Sequence, residues 1–124
     1  MGFVRSASAL ALGLAVSSFA LAADDAQVKR GEYLARAADC MACHTAEGGA
    51  PYAGGLPIHS PFGTIYGSNI TPDKQYGIGN YSADEFFAAV TEGKRKDGAN
   101  LYPAMPYTSY HLIKREDSDA ILAY

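Results

Sequence analysis

The sequence has no excess of positive charge, which limits the partners that it can bind. Ten lysine and arginine residues stand against 13 aspartate and glutamate residues, so the formal net charge is -3 at pH 7. The one dense basic run, residues 94–96, is flanked by Glu92 and Asp97 and is typical of a solvated turn. Without a basic field to attract phosphates, the composition argues against nucleic-acid binding.

Long hydrophobic runs are also scarce. The one at residues 7–21 is too short and too rich in serine to span a bilayer comfortably. It follows Arg5 and ends in Ala20-Leu21-Ala22, which is the pattern of a secretory signal peptide. We therefore predict a signal peptide at residues 1–22 and one exported domain at residues 23–124, because about 100 residues suffice for a single small domain.

Cysteine occurs only twice, and both cysteines fall in Cys40-Met41-Ala42-Cys43-His44. This C-x-x-C-H spacing is that of c-type haem attachment. Two thiols one helical turn apart can form thioethers with the two vinyl groups on one edge of a haem, and the adjacent imidazole can then bind the iron. The motif predicts Cys40 and Cys43 as the covalent attachment residues and His44 as the proximal iron ligand.

Three other interpretations of the motif are weaker. A thioredoxin-type redox pair would be expected beside a strand–helix–strand pattern, and none surrounds residue 40. A structural zinc site would need a fourth ligand, for which His59 and His111 are scattered candidates. A disulfide between Cys40 and Cys43 would close too small a loop to stabilise the fold much.

Methionine is rare as well, and this favours one candidate for the second axial ligand. Of the three methionines, Met1 belongs to the predicted signal peptide and Met41 lies inside the attachment motif. The remaining one, Met105, lies between two prolines that restrict the backbone of its loop. We favour Met105, with His111 as the main alternative and His59 as a weaker one.

Helical patterns surround a long irregular segment. The sequence predicts a first helix over Ala26–Asp39, with Gly31 marking the close approach of another helix. The capping box Ser82-Ala83-Asp84-Glu85 begins a second helix that Gly93 ends. A third begins near Glu116 or Asp117.

Between the first two helices, residues 45–81 contain eight glycines and four prolines and show no periodicity. We expect a long loop, which could not order itself by its own burial. A flat apolar ring could order it through inward side chains, for which the candidates are Ile58, Phe62, Ile65, Tyr66 and Ile70. The sequence stops within the third helical pattern, so we expect it to be the N-terminal part of a longer polypeptide.

A series of motifs resembles the first haem domain of the cytochrome c subunit of bacterial membrane-bound alcohol, gluconate and sorbitol dehydrogenases. Beside the stretch from Lys29 to His44, the matching segments are residues 53–57, 62–66, 69–73, 77–79 and 101–107. The resemblance implies an all-α, class I cytochrome c-like fold around one covalently bound haem c. It also implies Cys40 and Cys43 as thioether residues, His44 as the proximal ligand and Met105 as the distal one, with further haems in a longer chain.

The resemblance also implies a function. With both axial positions filled, the iron would carry single electrons, so the chain would be no enzyme by itself but an electron-transfer subunit. It would take electrons from a quinoprotein or flavoprotein dehydrogenase and pass them towards ubiquinone or another respiratory acceptor. Its place would be the periplasm, on the face of the inner membrane, held there by a region absent from this sequence.

Two alternatives remain open. The first is a free, single-haem soluble electron carrier in the periplasm. An enzyme or gas sensor with a five-coordinate haem would require that Met105 does not bind the iron.

Overall fold

The computed structural model describes the backbone of residues 13–124 and the side chains from Asp25 onward. Its helices and strands are α1 (Gly13–Ala37), α2 (Cys40–His44), β1 (Pro57–Ser60), β2 (Gly63–Tyr66), α3 (Ala83–Glu92), α4 (Tyr107–Tyr110) and α5 (Arg115–Ala123). The predicted signal peptide at residues 1–22 falls mostly outside the described residues. Within the described part of the chain, no helix combines the length and apolar character needed to cross a membrane.

The first and last helices cross at a glycine. A Cβ atom at Gly31 of α1 would lie 1.9 Å from the carbonyl oxygen of Ala120 in α5, so only glycine allows the two backbones to approach this closely. The same atom would lie 3.0 Å from the Cβ atom of Tyr124. Ala35, one turn further along α1, is buried, as is Ala120. The predicted close approach of another helix at Gly31 is confirmed.

Helix α3 begins and ends where the sequence predicts. The hydroxyl of Ser82 accepts a hydrogen bond from the amide of Glu85, and the carboxylate of Glu85 accepts one from the amide of Ser82. This reciprocal pair is the expected capping box. Gly93 ends the helix in the left-handed conformation, at φ 65°. Helix α5 begins at Arg115, one residue before the earliest predicted start, and carries two acidic residues in its first turn.

The first helix differs from the prediction at both ends. The sequence predicted Ala26–Asp39, whereas α1 spans Gly13–Ala37. Asp39 adopts the left-handed conformation, at φ 57°, and so interrupts the helix before the cysteine motif. The hydroxyl of Tyr110 donates to the carbonyl oxygen of Ala38 over 2.7 Å, which gives one carbonyl at this break a partner. The motif therefore forms a helix of its own, α2.

The expectation of an unbroken loop over residues 45–81 is wrong. Strands β1 and β2 pair in antiparallel fashion within it, with Ile58 opposite Ile65. The hydroxyl of Ser60 donates to the carbonyl oxygen of Gly63 over 2.8 Å and closes the turn. Strands of four residues, set among so many glycines and prolines, are too short to leave a clear alternating pattern. The fold is nevertheless mainly helical, as predicted.

The described side chains form only a small core. Its buried hydrophobic residues are Ala35, Phe86 and Ala120. Several larger apolar side chains are exposed, namely Tyr33, Phe62, Tyr66, Tyr76, Tyr102 and Leu112. A domain of this size buries a smaller fraction of its surface than a larger domain does. The side chains alone therefore give this fold little hydrophobic stabilisation, which is typical of a chain that folds around a large apolar group.

We expect Gly31→Ala to destabilise the protein by about 1–3 kcal/mol, because the new methyl group overlaps the backbone of α5 and must push the helices apart. Urea unfolding of the haem-loaded protein, followed by circular dichroism, measures the change in the free energy of unfolding. Ala37→Leu, at an exposed position of the same helix, is the control and should change this free energy by less than about 0.5 kcal/mol. Equal stability of Gly31→Ala and the wild type would contradict the tight crossing.

Candidate functional site

Helix α2 holds the two cysteines on a single turn. Residues three apart on a helix are neighbours on one face, so Cys40 and Cys43 have the relative placement that attachment to one haem edge requires. Both thiols are free, Cys40 being half-buried and Cys43 exposed. Burial raises the pKa of the Cys40 thiol above its ordinary value. Cys40 is thus the more enclosed of the two side chains and Cys43 the more accessible.

The imidazole of His44 is oriented by a backbone carbonyl. Its Nδ1 atom lies 2.7 Å from the carbonyl oxygen of Ser68. Because a carbonyl oxygen only accepts, Nδ1 carries the proton and donates, which leaves the lone pair on Nε2. Histidines that bind metals are commonly held in this way, with one ring nitrogen donating to a carbonyl and the other directed at the metal. This orientation suits His44 to bind a metal through Nε2.

Two chain segments meet around His44 and fix this geometry. The amide of Gly54 donates to the carbonyl oxygen of His44 over 2.7 Å, and the amide of Gly55 donates to the carbonyl oxygen of Gly67 over 2.8 Å. At Gly67 a Cβ atom would lie 1.9 Å from the carbonyl oxygen of Cys43. The glycines therefore let residues 67–69 pass directly against helix α2, which carries both cysteines and is called the attachment helix below. This places the carbonyl of Ser68 beside the His44 imidazole.

Neither Gly67 nor Ser68 was predicted as a site residue. Ser68 acts through its backbone carbonyl, so its side chain gives no signal. The glycine before it was the available hint, since a glycine inside an otherwise ordered segment often marks a close backbone approach.

Met105 lies half-buried in the loop between α3 and α4. Its amide donates to the carbonyl oxygen of Tyr102 over 3.0 Å, and the amide of Tyr107 donates to the carbonyl oxygen of Met105 over 2.9 Å. Pro103 and Pro106 restrict the backbone on either side. The side chain of Met105 thus extends from a loop that two turns and two prolines hold rigid. A rigid loop suits a residue whose sulfur atom must occupy a fixed position.

The two other histidines have separate surroundings. His59 is exposed on β1, with Nδ1 2.9 Å from the hydroxyl of Thr64. His111 is exposed beyond α4, where Nδ1 faces the carbonyl oxygen of Thr108. Among the described residues, no three His, Cys, Asp or Glu side chains converge into a group that could hold a metal ion. The zinc alternative therefore gains no support from the geometry.

An open apolar cleft of about 540 Å³ lies between the hairpin and the Met105 loop. Its lining residues are Ile58, His59, Ser60, Phe62, Ile65, Tyr102, Pro103 and Ala104. Of the five predicted inward residues, Ile58 and Ile65 line the cleft and are half-buried, and Phe62 lines it although 92% exposed. Ile70 is half-buried elsewhere, and Tyr66 is exposed, so Tyr66 is not inward in this structure.

Three observations indicate that the residues around the motif and the cleft can accommodate a haem. The cleft is apolar and adjoins Met105 through Ala104. The side chain of Phe62 is apolar and exposed, so a group seated in the cleft would remove it from water. His44 has an oriented imidazole beside two free thiols. None of the three motif residues lines the cleft itself, and neither does the side chain of Met105.

Tyr52 connects the site to the last helix. Its amide donates to the hydroxyl of Thr45 over 3.0 Å, and its ring meets that of Tyr124 edge-on, with centroids 5.9 Å apart. The Tyr52 hydroxyl is enclosed and has no hydrogen-bond partner within the described part of the chain. Burial, with a smaller effect of Tyr124, raises the pKa of Tyr52 to about 12. The side chain therefore stays neutral at physiological pH, and it packs against the ring of Tyr124.

We expect Gly67→Ala to impair haem attachment, because its methyl group overlaps the carbonyl of Cys43 and must move the 67–69 segment away from His44. The measurement is haem per polypeptide, from the pyridine haemochrome spectrum and the protein concentration. Ser68→Ala is the matched control, since it keeps the backbone carbonyl that His44 uses and should leave haem content unchanged. Full haem content in Gly67→Ala would contradict the importance of this contact.

Comparisons with known proteins find relatives among the cytochrome subunits of dehydrogenases. The chain is 60% identical over 121 residues to the gluconate 2-dehydrogenase cytochrome c subunit of Pantoea cypripedii, covering 94% of this chain and 27% of the relative. It is 54% identical over 120 residues to the alcohol dehydrogenase (quinone) cytochrome c subunit of Gluconobacter oxydans, covering 94% and 25%. It is 53% identical over 98 residues to the fructose dehydrogenase cytochrome subunit of Gluconobacter japonicus, covering 78% and 20%.

The chain therefore spans about a quarter of the length of these curated relatives. The predicted resemblance to cytochrome c subunits of dehydrogenases is confirmed. Residues 28–124 match the family model described as cytochrome c, which covers most of the chain, including the attachment helix. The chain belongs to the cytochrome c family, and its cofactor is covalently bound haem c.

Proposed function

We propose that this domain transfers single electrons through its haem, as part of the cytochrome c subunit of a membrane-bound dehydrogenase. The observation that carries the proposal is the hydrogen bond between Nδ1 of His44 and the carbonyl of Ser68. His44 directly follows Cys43 in the sequence. This hydrogen bond leaves Nε2 free for iron at the place where the haem would be attached.

In this proposal, Cys40 and Cys43 would form the two thioethers, and His44 and Met105 would bind the iron. The bound haem would supply one-electron chemistry. The chain's own residues would attach it and surround it with apolar side chains. Because two side chains of the chain itself would bind the iron, the domain would act as an electron-transfer module and not as an enzyme by itself.

The names of the relatives support a dehydrogenase as the electron donor, and we propose that this dehydrogenase is of the quinoprotein or flavoprotein type. The acceptor is ubiquinone or another respiratory carrier. The signal peptide at residues 1–22 exports the chain to the periplasmic face of the inner membrane. Residues 23–124 are the first of several haem domains, since the relatives are about four times as long, and membrane association belongs to another region.

Replacement of Met105 tests the ligand set. We expect Met105→Ala to lose the low-spin visible spectrum of a six-coordinate haem and the sulfur-to-iron charge-transfer band, and to lower the reduction potential, because a thioether ligand favours ferrous iron. Met41→Leu is the control, because Met41 lies in the attachment helix and is assigned no bond to iron. An unchanged spectrum in Met105→Ala would instead favour His111, His59 or a five-coordinate haem.

The second experiment separates the subunit from a free soluble carrier. It measures the intact mass and haem count of the native protein, taken separately from membrane and soluble fractions of the source cells. We expect a longer, membrane-associated polypeptide with several haems. A soluble, single-haem protein of the size of residues 23–124 would overturn the dehydrogenase assignment and leave the free carrier.

A further inference from the structure

Helix α4 directly follows the loop that carries Met105, and one of its side chains reaches the chain just before the first cysteine. Tyr110 stands five residues after Met105, and Ala38 stands two residues before Cys40. The hydroxyl of Tyr110 donates to the carbonyl oxygen of Ala38 over 2.7 Å. In the part of the chain that the structure describes, no other side-chain hydrogen bond joins α4 to a distant segment. This bond therefore links the Met105 loop to the segment that leads into the attachment helix.

Packing alone connects these two regions only by a long route. Of the helices and strands that the structure describes, α4 packs against α3 alone, and the ring of Tyr107 lies where a Cβ atom at Gly93 would be only 2.7 Å away. Helix α3 packs against α5, α5 against α1, and α1 against α2. The packing path from α4 to the attachment helix thus runs through α3, α5 and α1, whereas the hydroxyl of Tyr110 spans the same gap directly.

The Tyr110 hydroxyl is a lasting donor. The side chain is half-buried, and this burial raises the pKa of Tyr110, with smaller effects from Cys40 and Cys43. The phenol therefore keeps its proton at physiological pH and continues to donate. Its acceptor is also well defined, because the left-handed conformation of Asp39 ends the regular helix and leaves the carbonyl of Ala38 without a helical partner.

We propose that Tyr110 is a positioning residue, whose bond to Ala38 holds the Met105 loop in register with the attachment helix. The proposal rests on the proposed function, in which His44 and Met105 bind the iron from these two regions. One hydrogen bond changes an equilibrium by about two- to tenfold. Loss of the hydroxyl should therefore raise the fraction of molecules in which the Met105 loop has moved away by about the same factor.

Hydrogen exchange tests the link at both of its ends. The amides of Met105 and Tyr107 donate to carbonyl oxygens within the loop, and the amide of Asp39 donates to the carbonyl oxygen of Arg36. In native-state exchange of the haem-loaded protein, we expect Tyr110→Phe to speed exchange at all three amides by about two- to tenfold. Faster exchange at Asp39 alone would mean that the hydroxyl only completes the end of α1, and it would overturn the proposal.

Added imidazole tests the consequence at the iron. Imidazole binds ferric haem in the place of Met105, so its apparent affinity rises with the fraction of molecules in which the loop has opened. We expect Tyr110→Phe to bind imidazole about two- to tenfold more tightly than wild type. Tyr81→Phe is the matched control, because Tyr81 is also half-buried but its hydroxyl meets the amide of Lys96, at 3.5 Å. It should bind imidazole as wild type does.

Gly31→Ala separates positioning from a general loss of stability. It weakens the crossing of α1 and α5 but keeps the Tyr110 hydroxyl, so it should unfold at a lower urea concentration and retain the wild-type imidazole affinity. Unchanged imidazole affinity in Tyr110→Phe, or an equal increase in Gly31→Ala, would overturn the role of Tyr110.

The sulfur-to-iron charge-transfer band of the wild type is recorded first, because it distinguishes the two levels of the argument. If the band is present and Tyr110→Phe behaves as wild type, the ligand set stands and only the positioning role fails. If the band is absent from the wild type, Met105 does not bind the iron, and the proposed ligand set and the role of Tyr110 fail together.

Discussion

The orientation of the His44 imidazole depends on a hydrogen bond to the carbonyl of Ser68, which lies 24 residues further along the chain. For that carbonyl to face the ring, the 67–69 segment must pass against the attachment helix, and glycine at position 67 is what allows it. The bonds of Gly54 and Gly55 to this same region bring the intervening loop into place. Three of the eight glycines in residues 45–81, namely Gly54, Gly55 and Gly67, thus serve the orientation of the His44 imidazole.

The small core explains why the rest of the chain is arranged as it is. Three buried hydrophobic residues within the described part cannot support a domain of this length, while apolar side chains such as Ile58 and Ile65 face an open cleft. A haem seated against the cleft would add apolar surface that the side chains lack, so the cofactor would form part of the hydrophobic core. Removing the ring would therefore remove stability as well as redox activity.

Much of this site follows from local sequence rules, and the rest does not. The cysteine motif, the capping box at Ser82 and the crossing at Gly31 each depend on a few neighbouring residues or on one glycine, so pattern and spacing predict them. The break at Asp39 was missed because a left-handed aspartate has no distinctive sequence pattern. The hairpin was missed because its strands are short. Ser68 could not be found because it contributes only its backbone.

The hydroxyl of Tyr110 reaches across 72 positions of sequence to the carbonyl of Ala38, two residues before the first cysteine. Together with the crossing of α1 and α5, it joins α1 to two helices that lie far along the sequence. The conformation of the residues just before the cysteines therefore depends on α4 and α5, which are synthesised last among the described elements. The first and last described helices must accordingly come together before the break at Ala38 and the helix crossing can both form.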